Sequence, residues 1–458
     1  MHHWCRSLLG LKLTLSDSGR RLTFNFNYSL IKLKFILIDS QQTQSIQHLA
    51  SKMVYLDYNA TTPLADEVIQ AITHSLSVAW GNPSSCHDIG TKANHVIKEA
   101  RQHVASMIGA KATDIIFTSG GTEGNNWILQ TAVQHYQKAF EAKIKSIGDM
   151  DVKRNKPHFI TSNIEHDSIK LVLEHFKDQE IADVTFLPVS KSSGAVHVED
   201  VVAAVTPSTV MISIMLANNE TGVIQPISDI GRRIKSINRQ RGDNQRILLH
   251  TDAAQAIGKI GVNVEDLGVD YLTIVGHKFY GPRIGAVYVL NPGTSTPLYP
   301  LFFGGGQERN LRPGTENTPM IAGLGKAAEL VHINLDLYSS KMQEVRDYLE
   351  EKLESCFGDS VCFNGRFKDS QRLPNTCNVS FIGKSAMPGH EILSQVPSIQ
   401  ASVGAACHAQ DRPSHILLAI GISDFVARRA LRISVGRETT KQDIDAAVQD
   451  LQKLFNKT

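Results

Sequence analysis

The chain contains 458 residues, of which 42% are hydrophobic and 20% are charged, and its formal net charge is +2. These values are typical of a globular protein with two domains, and the small charge gives no reason to expect a nucleic-acid partner. The longest apolar runs fall short of the roughly 20 residues that cross a bilayer, so no membrane partner is expected. The six cysteines form no CxxC pair, which argues against a metal site and favours a reducing compartment.

Residues 1–52 differ in composition from the rest of the chain. They carry seven Lys or Arg residues against two acidic residues, Asp17 and Asp39. A basic, acid-poor segment that contains serine is typical of a mitochondrial transit peptide. The alternative is a disordered N-terminal extension, because Met53 could itself begin a complete protein. We therefore expect a cytoplasmic (cytosolic) protein, with a mitochondrial location as the alternative if residues 1–52 act as a transit peptide.

From residue 53 onward, apolar runs of strand length alternate with segments of helical period, such as 95–109 and 127–140. Near-continuous apolar strands alternating with helices predict an α/β fold, in which helices cover both faces of a mostly parallel sheet. A charged, aperiodic stretch over 141–157 predicts an exposed loop, and a long helix over 327–357 leads into a smaller α+β region. The strand-length runs are 115–120, 158–163, 184–190, 210–216, 247–253, 271–275 and 285–290.

Functional groups in such sheets gather beyond the carboxyl ends of the strands. The stretch TSGGTEGNN (118–126) runs from a strand into a helix, and its glycines together with free N–H groups favour a phosphate. Thr122 could add a hydroxyl group. Asp252, in HTDAAQA (250–256), also follows a strand. Its carboxylate is either a helix cap or the anion that keeps a pyridinium nitrogen protonated.

Two further strand ends carry groups that could take part in catalysis. Lys278 follows a strand and a glycine in TIVGHKFYGP (273–282). Most lysines are solvated surface charges, but a lysine that is desolvated in a cleft has a lowered pKa and becomes an amine nucleophile. His166 follows another strand in SNIEHDS (162–168), where it is either a cap or core residue or a ring that stacks on a flat ligand. A phosphate site, a buried carboxylate, a strand-end lysine and a stacking ring are together what pyridoxal phosphate requires.

The chain resembles the fold type I, class V pyridoxal-phosphate-dependent enzymes, specifically the cysteine desulfurase group. The resemblance extends from about residue 55 to residue 455, and it implies a large cofactor-binding domain over 64–336. It also implies a small domain, made of 53–63 and 337–458, that carries a catalytic cysteine loop. The motifs that carry the resemblance are TSGGTEGNN and TDAAQA together with YLDYNATTP (55–63), WGNPSS (80–85), ANNETG (217–222), GHKFYGP (276–282), GGGQERNLRPGTENTP (304–319) and LRISVGR (431–437).

For the cofactor, the resemblance implies that Lys278 forms a Schiff base and that Asp252 pairs with the pyridinium nitrogen. It further implies the roles of the remaining cofactor-binding residues. These are Gln255 on the phenolic oxygen, Gly121, Thr122 and His277 on the phosphate, His166 stacked on the ring, and Asn218 near the ring and the substrate.

For the substrate and the assembly, the resemblance implies three more roles. Arg432 would bind the substrate carboxylate, a bidentate task that suits a guanidinium group. Thr315 would reach the phosphate of another subunit, so the active sites would be shared within a homodimer. Cys407, in ASVGAACHAQD (401–411), matches the catalytic cysteine of a mobile loop and would be a chalcogen acceptor, an acid or a gate against cysteine.

Some residues depart from the desulfurase pattern. Val275 stands where that pattern has a serine that binds the phosphate, so one phosphate-binding hydroxyl group is missing. Gly124 stands where a second serine usually follows the Thr-Glu pair. Val275 agrees with the branch of the group that cleaves selenocysteine, as does His408 directly after Cys407. The resemblance therefore implies a lyase that converts L-selenocysteine to L-alanine and selenium, or to selenide with a reductant, and that passes selenium to a possible acceptor protein.

Three alternatives remain open at this point. The first is a cysteine desulfurase that transfers sulfur as a persulfide. The second, from another class, is a pyridoxal-phosphate-binding scaffold without catalysis. The third is an aminotransferase, in which the Cys407 loop would have no purpose.

Overall fold

The computed structural model describes residues 53–147, 156–241, 245–384, 386–404 and 412–457. Residues Val54–Thr458 form one compact unit. Its strands are β1 (Val54–Tyr55), β2 (Ile115–Thr118), β3 (His158–Ser162), β4 (Asp183–Leu187), β5 (Thr209–Ser213), β6 (Leu248–Asp252), β7 (Tyr271–Val275), β8 (Gly285–Val289), β9 (Val361–Phe363), β10 (Thr376–Phe381), β11 (Ile399–Gln400) and β12 (Ala430–Ser434).

The described helices include two that begin directly at predicted ligand-binding motifs, at Gly121 and at Asp167. The full set of described α-helices is α1 (Asp66–Val78), α2 (Asp88–Met107), α3 (Gly121–Ile147), α4 (Asp167–Asp178), α5 (Val198–Ala203), α6 (Ile227–Arg241), α7 (Val264–Leu267), α8 (Thr318–Phe357), α9 (Gly389–Gln395), α10 (His415–Ala419), α11 (Asp424–Ala427) and α12 (Lys441–Lys457). None of the helices in the described ranges is long and apolar enough to cross a membrane.

The main sheet has seven strands in the order β2-β8-β7-β6-β5-β3-β4. Only β8 runs against its neighbours, β2 and β7, and the other neighbouring pairs are parallel. The carboxyl ends of β2, β3, β6 and β7 therefore meet at one edge of the sheet. The predicted α/β fold with a mostly parallel sheet is confirmed, and so is each predicted strand.

Successive side chains along a pleated strand point to opposite faces of the sheet, so each strand contributes to two hydrophobic cores, one on each face. On one face, Ile116 packs in a cluster with Trp127 of α3 and Leu173 of α4. On the other face, Ile115 and Phe117 belong to a larger cluster with residues of α2, α6 and α8. Helices thus cover both faces of the sheet, and the strands inside the sheet are buried on both sides, whereas the edge strand β4 is partly exposed.

A third cluster of buried residues lies around the antiparallel sheet β12-β10-β9. It combines Leu56 with Leu349 of α8, Val379 of β10, Ile433 of β12 and Leu451 of α12. This is the predicted smaller α+β region, although the exact boundaries of the large and small domains stay a prediction. The predicted loop over 141–157 is wrong for its first part, because α3 continues to Ile147 before residues 148–155, which lie outside the described ranges.

Candidate active site

A cavity of about 270 Å³ opens where the carboxyl ends of β6 and β7 meet the start of α3. This volume lies near the lower end of the range for small-molecule sites. Among the predicted site residues, the cavity is lined by Gly121, Thr122, His166, Asp252, Gln255, His277, Lys278 and Arg432.

Lys278 lies at the end of a single 3₁₀ turn that follows β7. Its Nζ donates hydrogen bonds to the carbonyl oxygens of Asn59, at 2.6 Å, and Ala60, at 2.8 Å. The turn itself is anchored to the same N-terminal segment, because Thr62 donates its backbone N–H to the carbonyl oxygen of His277. The segment YNATTP therefore holds the lysine amine at the wall of the cavity, which explains why a short motif far from Lys278 belongs to the same site.

Asp252 is the last residue of β6 and is 8% exposed. Its Oδ1 accepts the backbone N–H of Ala254 at 3.0 Å, and its Oδ2 accepts a hydrogen bond from Asn125 Nδ2 at 2.8 Å. A carboxylate has about four lone-pair sites, so these two bonds leave capacity for a donor on a ligand. Asp252 thus closes a local turn and also lines the cavity, so both interpretations that the sequence left open stay predictions.

A hydrogen-bonded chain joins Asp252 to His166. Asn125 Nδ2 donates to Ser168 Oγ as well as to Asp252, in both cases at 2.8 Å. Ser168 Oγ in turn lies 2.8 Å from His166 Nδ1, which also accepts the backbone N–H of Ser168 as the N-cap of α4. His166 is therefore a cap and a cavity residue at once, and its Nδ1 is occupied by the cap. Sequence reasoning missed Asn125 and Ser168 as members of the site.

The helix α3 begins at Gly121, directly at the cavity. The first N–H groups of a helix have no partner within it and attract anions. A Cβ atom at Gly121 would lie 2.6 Å from Cγ2 of Val275, which is closer than packed atoms approach, so a larger residue here would have to displace Val275. The residues present therefore form a site for a phosphate group, with Thr122 at the same wall.

His277 lines the same cavity, and its Nδ1 lies 3.1 Å from Thr61 Oγ1. Burial and the nearby positive charges of Lys278 and Arg283 lower the pKa of His277 to about 4. The ring is therefore neutral at pH 7. It serves the site as a hydrogen-bonding group and not as a cation.

Gly121→Ala is expected to weaken binding of the cofactor by about tenfold or more, because overpacking costs about 1–3 kcal/mol and the added methyl group meets Val275. Adding Val275→Ala removes the opposing Cγ2 atom and is expected to restore much of the affinity. Fluorescence titration of the cofactor-free protein with pyridoxal phosphate measures both variants. Gly261→Ala is the control, because nothing lies within 4 Å of its added Cβ. Equal affinities for Gly121→Ala and the wild type would contradict the close contact.

Arg432 lies on β12 and is 3% exposed. Its Nη2 donates to Asp57 Oδ1 at 2.8 Å, and its Nη1 donates to the carbonyl oxygen of Asn219 at 3.2 Å. Its Nε is buried and has no hydrogen-bond partner among the described residues. A buried guanidinium with an unused donor at a cavity wall is suited to a carboxylate ligand, because carboxylates pair with this fork in bidentate geometry.

Asn218 does not line the cavity. Its Oδ1 accepts the backbone N–H groups of Glu220 and Thr221, both at 2.9 Å, so its side chain closes a turn. The neighbouring Asn219 lines the cavity, and its buried Oδ1 has no partner among the described residues. Asn219 is therefore the better candidate for a contact with a ligand.

Thr315 lies outside this cavity as well. It is exposed and lines a second cavity of about 230 Å³, which also includes Arg283 and Arg312. That position suits the predicted contact with another subunit, which stays a prediction. Cys407 and His408 lie outside the described residues, and the role of Cys407 also stays a prediction.

The comparisons with known proteins agree with this geometry. The model of the family "Aminotransferase class-V" matches residues 54–447. The chain belongs to the class V aminotransferase family.

Curated relatives match over most of the chain. It is 55% identical to a selenocysteine lyase of Rattus norvegicus, with 90% of this chain and 96% of the relative covered, and 57% identical to a selenocysteine lyase of Homo sapiens, with 88% and 92% covered. It is 40% identical to the cysteine desulfurase IscS of Dictyoglomus turgidum, with 88% and 95% covered.

Among solved structures, a NifS-like protein superposes with a TM-score of 0.76 at 31% identity, covering 89% of this chain and 100% of that chain. A NifS-like protein from Rickettsia africae superposes with a TM-score of 0.72 at 29% identity, covering 88% and 99%. The predicted fold type I architecture is thereby confirmed.

Members of this family depend on pyridoxal phosphate, and the cavity fits that group. A glycine whose added Cβ would meet Val275 stands at a helix start, a lysine amine and a buried carboxyl group line the same cavity, and a neutral histidine lines it as well. Buried polar atoms without partners among the described residues, on Asn125, Asn219 and Arg432, also lie on residues that line this cavity. Such atoms are costly unless a ligand or water satisfies them.

Proposed function

We propose that this protein is a pyridoxal-phosphate-dependent lyase that converts L-selenocysteine to L-alanine and selenium. The observation that carries the proposal is the convergence of Lys278, Asp252, the start of α3 and Arg432 on one cavity. The 52–57% identity to selenocysteine lyases, against 40% to a cysteine desulfurase, supports the substrate.

The residues of the chain divide the task of holding the cofactor and the substrate. Bound pyridoxal phosphate would supply an aldehyde that bonds to amines and a ring that accepts electrons from the substrate. Gly121, Thr122 and His277 would hold its phosphate, and Asp252 would keep a proton on its ring nitrogen. Arg432 would hold the substrate carboxylate through the donors that Asp57 and Asn219 leave unused.

Lys278 is the group that moves protons at the reacting carbon. Its Nζ lies at the cavity wall and donates hydrogen bonds to two carbonyl oxygens, which fix the position of the nitrogen. We expect it to take the proton from the substrate's Cα. His166 is the second candidate, with Nε2 as the nitrogen available, because its Nδ1 is engaged by Ser168.

The chemistry of the leaving atom favours selenium. The reaction breaks the Cβ–Se bond, and the two electrons of that bond and a proton stay with the carbon as the methyl group of alanine. Selenium leaves at the zero oxidation level, and a thiol reductant converts it to selenide. A selenol is ionised at neutral pH, whereas a cysteine thiol with a pKa of about 8.5 is mostly protonated and leaves less readily.

A side-by-side assay of the two substrates tests the proposal. We expect alanine release from L-selenocysteine to exceed release from L-cysteine by about 100-fold in kcat/KM, a difference of about 2.7 kcal/mol in transition-state stabilisation. Equal or faster release from L-cysteine, with persulfide on the protein, would favour the desulfurase. A visible absorbance band that borohydride bleaches, without turnover of either amino acid, would favour the scaffold.

We further propose a homodimer with shared active sites. Phe303 is 92% exposed and Phe302 is 49% exposed, and they lie in the loop that precedes the predicted intersubunit residue Thr315. Large apolar side chains at the surface are typical of an interface. A possible selenium-acceptor protein and a cytosolic location complete the proposal, with mitochondrial import as the alternative if residues 1–52 act as a transit peptide.

A further inference from the structure

Lys259 is a buried lysine that the mechanism above does not use. It is 3% exposed and lies in the helical turn that follows Asp252. Lysine is almost never this buried unless a partner compensates its charge. Its Nζ donates a hydrogen bond of 2.8 Å to Oε1 of Gln255, one turn earlier in the chain.

The partner of Lys259 is an amide and not a carboxylate. Within the ranges that the structure describes, no acidic side chain forms an ion pair with Lys259. Burial, together with the positive charges of Lys278 and Arg432, holds the pKa of Lys259 well below its usual value. An ordinary stabilising salt bridge therefore does not explain this lysine. What it does provide is an N–H donor, which both its charged and its neutral forms retain.

That donor determines which way the amide of Gln255 points. Since Oε1 accepts from Lys259, Nε2 faces the other way and donates to the carbonyl oxygen of Asn59 at 3.0 Å. If the amide were flipped, its NH₂ would face the amine of Lys259 and its oxygen would face the carbonyl oxygen of Asn59. Both contacts would then be lost, at about 1 kcal/mol or more each.

The fixed amide belongs to the active site. Gln255 lines the cavity, and the carbonyl oxygen of Asn59 that it contacts also accepts the hydrogen bond from Lys278 Nζ. An NH₂ group has two N–H donors, and Asn59 uses one of them. The second donor is left for a ligand oxygen in the cavity.

We propose that Lys259 is a positioning residue, which fixes the amide of Gln255 so that its NH₂ group donates to the ring oxygen of the bound cofactor. This inference rests on the proposed function, because it requires pyridoxal phosphate in the cavity. It assigns a role to a residue that does not touch the cofactor. Lys259 acts through Gln255 alone.

The test uses the pH midpoint at which the visible absorbance band of the cofactor-loaded protein changes. Donation to the ring oxygen stabilises its anionic form, so loss of the donor favours the protonated form of the bound cofactor. Lys259→Met is expected to raise this midpoint by about one pH unit, which corresponds to one lost hydrogen bond to a charged group. Lys259→Arg, which keeps a donor, is expected to stay near the wild-type midpoint.

The variant Gln255→Leu separates positioning from a direct effect of charge. It is expected to raise the midpoint as Lys259→Met does, and adding Lys259→Met to it is expected to cause no further shift. Additive shifts in the double variant would overturn the inference, because Lys259 would then act without Gln255. Lys98→Met, at an exposed position of α2, is the matched control and is expected to keep the wild-type midpoint.

The outcomes also separate this inference from the proposed function. A wild-type protein without a visible band would overturn both. A wild-type band with an unchanged midpoint in Lys259→Met would overturn only the inference. Loss of the native fold in both Lys259→Met and Lys259→Arg, seen by circular dichroism, would also overturn it, because a residue that only orients an amide is not needed for folding.

Discussion

Lys278→Ala is expected to lower the rate of alanine release from L-selenocysteine by at least about 10⁴-fold, because it removes both the amine that bonds to the cofactor and the group that moves the Cα proton. The fold is expected to persist, since the side chain ends at the wall of a cavity and its partners include two carbonyl oxygens that water can satisfy. Single-turnover kinetics and absorbance spectra of the loaded variant measure the change.

Two controls make this result specific to the active-site amine. Lys98→Met removes an exposed lysine on α2 and is expected to keep the wild-type rate. Addition of a small primary amine to Lys278→Ala is expected to restore part of the lost rate, because the amine can enter the space left by the side chain. A Lys278→Ala protein within tenfold of the wild-type rate would remove Lys278 from the mechanism.

The fold could be predicted from the sequence because the patterns that indicate its strands and helices are local and agree with one another. Most strands of the main sheet are buried on both faces, which favours near-continuous apolar runs that are easy to recognise, and the edge strand β4 is the exception. The error at 141–157 has the opposite origin. The stretch is charged and aperiodic, yet α3 extends to Ile147, because a helix that is already formed adds residues at little cost. Apolar period alone therefore underestimates the length of a helix that projects into solvent.

The site followed from the sequence where strand ends carry the chemistry. Asp252 ends β6, while His166 and Lys278 follow β3 and β7, and strands that run in one direction bring their ends together. Arg432 lies on a strand of a different sheet, and its place at the cavity was implied by resemblance alone.

Adjacent residues in a turn are harder to assign. Asn218 and Asn219 are identical in type, and only the hydrogen bonds show that Asn218 closes the turn while Asn219 reaches the cavity. Lys259 was missed because lysine is usually a surface residue, and nothing in its immediate sequence indicates burial. Its spacing of four residues from Gln255 is the one signal that could have suggested the contact.

Asp252→Asn is expected to lower the rate of alanine release by about 10²–10⁴-fold while the protein still binds the cofactor. The substitution keeps the shape of the side chain and an oxygen for the backbone N–H of Ala254, so the local turn is expected to remain. A neutral amide cannot hold a proton on the cofactor's ring nitrogen, so electron acceptance by the ring is weakened. The measurement is the single-turnover rate on L-selenocysteine, with the visible band as the check on loading.

The same experiment decides between the two interpretations of this carboxylate. Asp178→Asn makes the same chemical change at an exposed position near the end of α4 and is expected to leave the rate unchanged. If Asp252→Asn stayed within tenfold of the wild type, Asp252 would be only the turn residue that accepts from Ala254. Its second bond argues for the catalytic role, because Asn125 connects Oδ2 to Ser168 and thereby to His166. A simple cap does not require a buried network that ends at a second cavity residue.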